Sequence, residues 1–157
     1  MSPLRFIAIP TQQADAYRAG ALDANDQTPE RHISDGNGNP CRHCLEDIAE
    51  SEPFLILSHR PFDSKQPYAE QGPIFLHAES CASYQSEGQM PDMLQKRDDF
   101  LMRGYTSDDR ILYGSGKIVA ANELETEAAM LLEDSQVKYI HLRSSAYNCF
   151  QCRIERG

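Results

Sequence analysis

Apolar residues in this chain gather in short runs of strand length, separated by polar stretches rich in Asp, Gly, Asn and Pro. "LRFIAI" (4–9) predicts a first strand closed by Pro10, and "TQQADAYRAGAL" (11–22) a short helix with Thr11 as N-cap. Segment 23–40 contains Asp-Gly-Asn-Gly-Asn-Pro, a loop sequence because Gly and Asn accept positive φ and Pro interrupts pairing; a short strand fits at Arg31–Ile33. "PFLILSH" (53–59) and "GPIFLHA" (72–78) are continuous apolar runs that read as strands. A short helix is expected at 91–96. "DFLMRGYT" (99–106), "RILYG" (110–114) and "KIVAA" (117–121) read as strands broken by tight turns, with a hairpin turn at Gly114-Ser115-Gly116.

The clearest helix spans 122–134. Asn122 is placed to cap it, and Glu125 three residues later completes a capping box. Leu124, Ala128, Leu131 and Leu132 fall on one stripe, the face expected to be buried. "VKYIHLR" (137–143) and "NCFQCRIE" (148–155) close the chain as two strands. The sum is seven or eight strands and two or three helices that do not alternate regularly, which predicts an α+β fold with a mainly antiparallel sheet. The segments "CRHCLEDIAESEPFLILSHRPF", "PYAEQGPIFLHAESC", "DDRILYGSG" and "YNCFQCRIER" resemble a bacterial family catalogued as domain of unknown function 1203, over roughly residues 4–156. That resemblance implies a small single-domain bacterial protein and carries no established activity.

At 157 residues, with 40% hydrophobic and 25% charged positions, the chain is the size and balance of one soluble globular domain covering 1–157. Its formal net charge of −9 argues against binding nucleic acid or an anionic membrane, since both demand positive surface charge. The first apolar run is too short for a secretory signal and no 18-residue apolar stretch exists, so a cytoplasmic location is expected. In that compartment five cysteines stay reduced, which disfavours a disulfide framework.

Chemistry concentrates in the cysteines and histidines. Cys41-x2-Cys44 and Cys149-x2-Cys152 together make a four-thiolate set of the kind that holds Zn²⁺. The first pair follows Pro40 and a glycine-rich loop, so a turn that converges both sulfurs is reasonable. The second reads as strand, where residues three apart face opposite sides; Phe150, Cys152 and Ile154 would share one face, with Cys152 a small buried hydrophobe. A mixed site is the alternative: His77 and Cys81 lie four apart at the end of a strand, and could join Cys41 or Cys44, with His43, His59 and His141 also available. Catalysis by a thiol with a base in reach can be written for Cys81 with His77 or Cys44 with His43. A redox role for Cys41-x-x-Cys44 has Arg42 and His43 in its favour but lacks the strand-to-helix setting of thioredoxin-like motifs. "GSGK" (114–117) lacks the residues of a phosphate loop and reads as a turn.

The first reading is a binding or regulatory module acting on a protein or small-molecule ligand, with no cofactor required and zinc as the one candidate. A small enzyme or metal-binding protein built on His77, Cys81, Cys41, Cys44 and His43 comes second, and a thiol redox protein third. Whether the chain is an enzyme, and its oligomeric state, stay open.

Overall fold

The computed structural model describes residues 3–85 and 88–157. Among them the order is β1 (Leu4–Ile7), α1 (Thr11–Arg18), β2 (Glu30–Ile33), β3 (Pro53–His59), β4 (Gly72–His77), α2 (Asp92–Gln95), β5 (Asp99–Tyr105), β6 (Lys117–Ala120), α3 (Leu124–Leu131), β7 (Tyr139–Ser144) and β8 (Phe150–Arg156). The α+β class and the antiparallel architecture are as the apolar pattern predicts. The eight strands are shared between two sheets, one of five in the order β1-β8-β7-β5-β6 and one of three in the order β2-β3-β4. The chain divides into two compact units: Ala8–Ser64 with Ala69–Tyr84, and Met1–Ile7 with Lys65–Tyr68 and Gln85–Gly157. Among the described residues no helix is long and apolar enough to cross a membrane.

The three-stranded unit is built on β3 and β4, paired from Phe54↔His77 to His59↔Gly72. Leu55 and Leu57 lie opposite Leu76 and Ile74, and all four are buried. Phe75 and His77 therefore occupy the other face, as period-two alternation requires. α1 starts one residue earlier than Thr11 as N-cap implies. Pro10 is the cap, its carbonyl receiving the amides of Gln13 and Ala14, and the Thr11 hydroxyl is spent elsewhere.

In the five-stranded unit, β7 pairs with β5 and β8 at its centre. Leu142 faces Cys152, but the next residue, Arg143, faces Phe150, so Gln151 is an extra residue on β8 and the alternation inverts there. Cys152 thus shares a face with Leu142, Ile140 and Ile154. Phe150 instead joins the His141 face, with ring centroids 4.9 Å apart. The expected single face of Phe150, Cys152 and Ile154 is broken by that bulge, although all three are buried. Burial of each large apolar side chain stabilises by about 2 kcal/mol, against about 1 kcal/mol for a lost ladder hydrogen bond, so a bulge that buries Phe150 is readily tolerated.

Two further expectations change. Asn122 lies inside a 3₁₀ turn, Ala121–Glu123, and no side-chain cap closes α3; the helix entry is fixed instead by the Ala121 amide on the Asp98 carbonyl, 2.9 Å. Leu124, Ala128 and Leu132 are buried as the stripe predicts, while Leu131, expected with them, is half-buried. Residues 110–114 are not a strand. The chain turns earlier, at Asp109 (φ 60°), and Ile111 makes one isolated bridge to Tyr105, so the partner of β5 is β6, joined by a longer connection than the Gly114-Ser115-Gly116 hairpin.

Candidate metal centre

The segment after the glycine-rich loop folds into a tight turn. Pro40 and Asp47 form an antiparallel bridge across its mouth; the Cys41 amide donates to Glu46 and the Leu45 amide to Cys41. Leu45 takes φ of 56°, an unusual conformation for a branched residue, and its buried side chain anchors it. This backbone path carries Cys41 and Cys44 to one side. The turn is docked onto the outer edge of β4 by a parallel bridge, Cys41↔Phe75, with the Arg42 amide on the Phe75 carbonyl at 3.0 Å. Cys41 is thereby level with the Phe75 and His77 face. Four residues beyond His77, the loop returns Cys81 to the same place.

The result is a cluster of Cys41, Cys44, His77 and Cys81 whose ligand atoms all lie within 4.8 Å of one another. Cys41 Sγ is 3.9 Å from Cys81 Sγ, and Cys44 Sγ is 3.5 Å from His77 Nδ1. A tetrahedron with bonds of about 2.3 Å has edges of about 3.8 Å, so the donors need little adjustment to close on one ion. Cys41 and Cys44 are buried; His77 and Cys81 are half-buried. The His77 amide also points at Cys41 Sγ, 3.4 Å away.

Without a cation the thiols share protons unequally. The Cys41 thiol is pushed down to about 3, first by the hydrogen bond from the Cys44 thiol and then, against the cost of burial, by that from His77. Cys44 is pushed up because it is the donor in that bond and because it is buried. Burial, then the neighbouring Cys41, pushes Cys81 up as well, while the bond to Cys41 raises His77. A shift down at Cys41 beside shifts up at Cys44 and Cys81 suits a ligand set whose remaining protons a divalent cation displaces.

Around these four lies an organised surround. His77 Nε2 faces Glu52 Oε1 at 3.8 Å, leaving Nδ1 toward the sulfurs. A carboxylate behind a ligating imidazole fixes its orientation and raises its basicity. Arg18, at the end of α1, donates from Nη2 to Cys81 Sγ (3.0 Å) and from Nε to the His77 carbonyl (2.9 Å), and Asp15 holds its Nη1 at 3.1 Å. His43 Nδ1 lies 3.1 Å from Cys81 Sγ, and its Nε2 contacts the Thr11 hydroxyl at 2.8 Å. Burial, then Arg18, holds His43 below its ordinary value.

The four residues brought together here were named from the sequence in two separate sets, Cys41 with Cys44 and His77 with Cys81. Among the described residues the metal-type group contains neither Cys149 nor Cys152, which belong to the five-stranded unit. Cys152 is buried on β8, and Cys149 precedes that strand, its thiol directed at the Tyr147 carbonyl. The thiol–imidazole pairs are crossed relative to the sequence expectation: Cys81 meets His43, and Cys44 meets His77. His59 is buried on β3 against the Tyr17 hydroxyl (3.2 Å), and His141 lies on β7. Arg18, Thr11 and Glu52 carry no local signal; they reach the cluster through the tertiary fold. The spacing Cys-x2-Cys followed by His-x3-Cys is the one sequence cue that unites the four donors.

Fold and site together define an α+β protein with a three-thiol, one-imidazole cluster of metal-site geometry. Residues 38–156, more than half of the chain and including all four donors, match the family described as "Protein of unknown function (DUF1203)", and the chain belongs to that family. No curated protein and no solved structure matches it.

Proposed function

We propose that this protein is a zinc-binding module in which Cys41, Cys44, His77 and Cys81 hold one Zn²⁺ and thereby fix the three-stranded unit as a platform for a protein or small-molecule ligand. The observation that carries this reading is the convergence of four donors within 4.8 Å from two segments far apart in sequence. Three sulfurs and one imidazole favour zinc over the hard cations Mg²⁺ and Ca²⁺, which select oxygen. Four protein ligands leave no open coordination position, so the ion's role is structural: it ties the 40–47 turn to the end of β4. Metal content of protein purified without added metal or chelator, with thiols counted in parallel, tests it. The expected result is about one equivalent of zinc per chain, with three thiols protected until a chelator is added. Absence of metal together with three reactive thiols at these positions overturns it.

A second reading rests on a separate observation, the Cys81–His43–Thr11 chain of contacts. There Cys81 is a nucleophile, His43 its base and Thr11 the group that orients the ring. It predicts fast, single-site alkylation of Cys81 with a pH profile set by His43. A zinc-loaded, alkylation-resistant protein rules it out.

A further inference from the structure

Three sulfurs surround the centre, and their environments differ. Cys41 and Cys44 are sealed, at 0% and 7% exposure, whereas Cys81 is partly open to solvent. Arg18 Nη2 and His43 Nδ1 both lie within about 3 Å of the Cys81 sulfur, at 3.0 and 3.1 Å. Hydrogen bonds to a metal thiolate draw electron density from the sulfur and weaken its bond to the ion, so Cys81 is the ligand that exchanges most readily. The guanidinium is held in place by Asp15 and the His77 carbonyl, and its charge sits beside the sulfur. Cys41 Sγ waits 3.9 Å away, within a side-chain rotation of bonding distance.

We infer that Cys81 is a peroxide-reactive thiol and Cys41 its resolving partner, so that a hydroperoxide drives a Cys41–Cys81 disulfide and expels the metal. The inference rests on the zinc reading for the lability of Cys81 as a ligand and for its last step; the exposure of Cys81 and its 3.9 Å separation from Cys41 stand without it. The Cys81 sulfur attacks the distal oxygen of the hydroperoxide; the O–O bond breaks, the proximal oxygen leaves and takes a proton from water to become an alcohol (water, for hydrogen peroxide), and Cys81 becomes a sulfenic acid. Arg18 stabilises the charge that develops on the departing oxygen. The Cys41 thiolate then attacks the Cys81 sulfur, the S–O bond breaks, and hydroxide leaves as water after taking a second proton. Two electrons pass from the sulfur pair to the peroxide. Cys44 and His77 remain, too few ligands to retain the ion.

The test adds hydrogen peroxide to the protein as purified, follows zinc release with a chromogenic chelator, and maps disulfides by mass spectrometry of peptides. The expected result is one zinc released per disulfide formed, with Cys41–Cys81 as the linkage, and full reversal by a dithiol reductant plus zinc. A Cys41–Cys44 linkage, or oxidation that begins at Cys149, overturns the inference. Arg18→Met is expected to slow release about tenfold, each rate being taken relative to the zinc that the variant initially holds; an unchanged relative rate overturns the role given to Arg18. Should the untreated protein hold no zinc, the metal reading falls by itself, and the same disulfide map on the metal-free protein still decides for or against Cys81 and Cys41.

Discussion

The two Cys-x2-Cys pairs share a spacing and share little else. At Cys41 and Cys44 the backbone is closed by the Pro40↔Asp47 bridge and turned through Leu45 at φ of 56°, so both sulfurs leave the turn on one side. At Cys149 and Cys152 the chain passes from a turn with Asn148 at φ of 60° straight into β8, and Gln151 bulges out between the two. One sulfur stays half-exposed near the Tyr147 carbonyl; the other is buried opposite Leu142. Two intervening residues set how far apart two sulfurs can be. Where they point is decided by the backbone between them, and a sheet edge that brings a histidine decides whether a ligand set is completed.

The largest expected effect separates the pairs outright. Cys44→Ala should reduce zinc from about one equivalent to a small fraction, because three ligands hold the ion far more weakly than four, and should destabilise the three-stranded unit by several kcal/mol. Cys149→Ser should leave metal content unchanged and stability within about 0.5 kcal/mol, as for other surface substitutions. Elemental analysis with urea unfolding reads both. Equal losses of zinc from the two variants would restore the four-cysteine set.

Acid distinguishes the three-stranded unit in a second way. His59 is held down to about 4, first by burial and then by Arg42 and Arg60. An unfolded histidine titrates near 6.5, so between pH 6.5 and about 4 the unfolded chain binds the extra proton and the folded chain does not. His59 therefore imposes no penalty above about pH 6.5, and stability falls as pH drops toward 4, by about 3 kcal/mol in all. Subtracting the curve of a His59→Gln variant isolates this term from acid release of the metal. A flat difference between pH 7 and 4.5 would show that His59 charges within the fold.

These effects bear on what the sequence disclosed. Strand placement was legible wherever a single apolar run carried it: β3 at Pro53–His59 coincides with "PFLILSH", and the buried stripe of α3 follows from its spacing. Helix caps were not, because Thr11 and Asn122 have cap chemistry but the chain enters each helix by another route. The site was half legible. Cys41 and Cys44 are marked by their loop, and His77 by its face of β4. Nothing local shows that Arg18 of α1 ends 3.0 Å from a sulfur 63 residues away, since that contact exists through tertiary packing alone. The bulge at Gln151 was equally hidden; it comes from register, set by the partner strand rather than by β8 itself.

Next in size is the buried member of the second pair. Cys152 is fully buried opposite Leu142. Cys152→Ser places a hydroxyl where a sulfur packed, and should destabilise the five-stranded unit by about 1–3 kcal/mol with zinc unaffected. Cys152→Val, close in volume and apolar, should cost less than Cys152→Ser. The reverse order would mean that the sulfur serves as more than a small hydrophobe.

The smallest expected effect probes the surround of the first pair. Glu52 Oε1 sits 3.8 Å from His77 Nε2 and also accepts the Ala49 amide at 3.0 Å. Glu52→Gln keeps an acceptor for Ala49 and removes the negative charge behind the imidazole. A carboxylate hydrogen-bonded directly to a ligating histidine contributes about 10–100-fold in affinity; at 3.8 Å, with Glu52 half in solvent, about threefold is expected. Competition against a chelator of known affinity measures it. No change would assign Glu52 to the turn alone. A loss of tenfold or more would mean that the carboxylate closes on the imidazole when the ion binds, and that the first pair is distinguished by its outer partners as much as by the direction of its sulfurs.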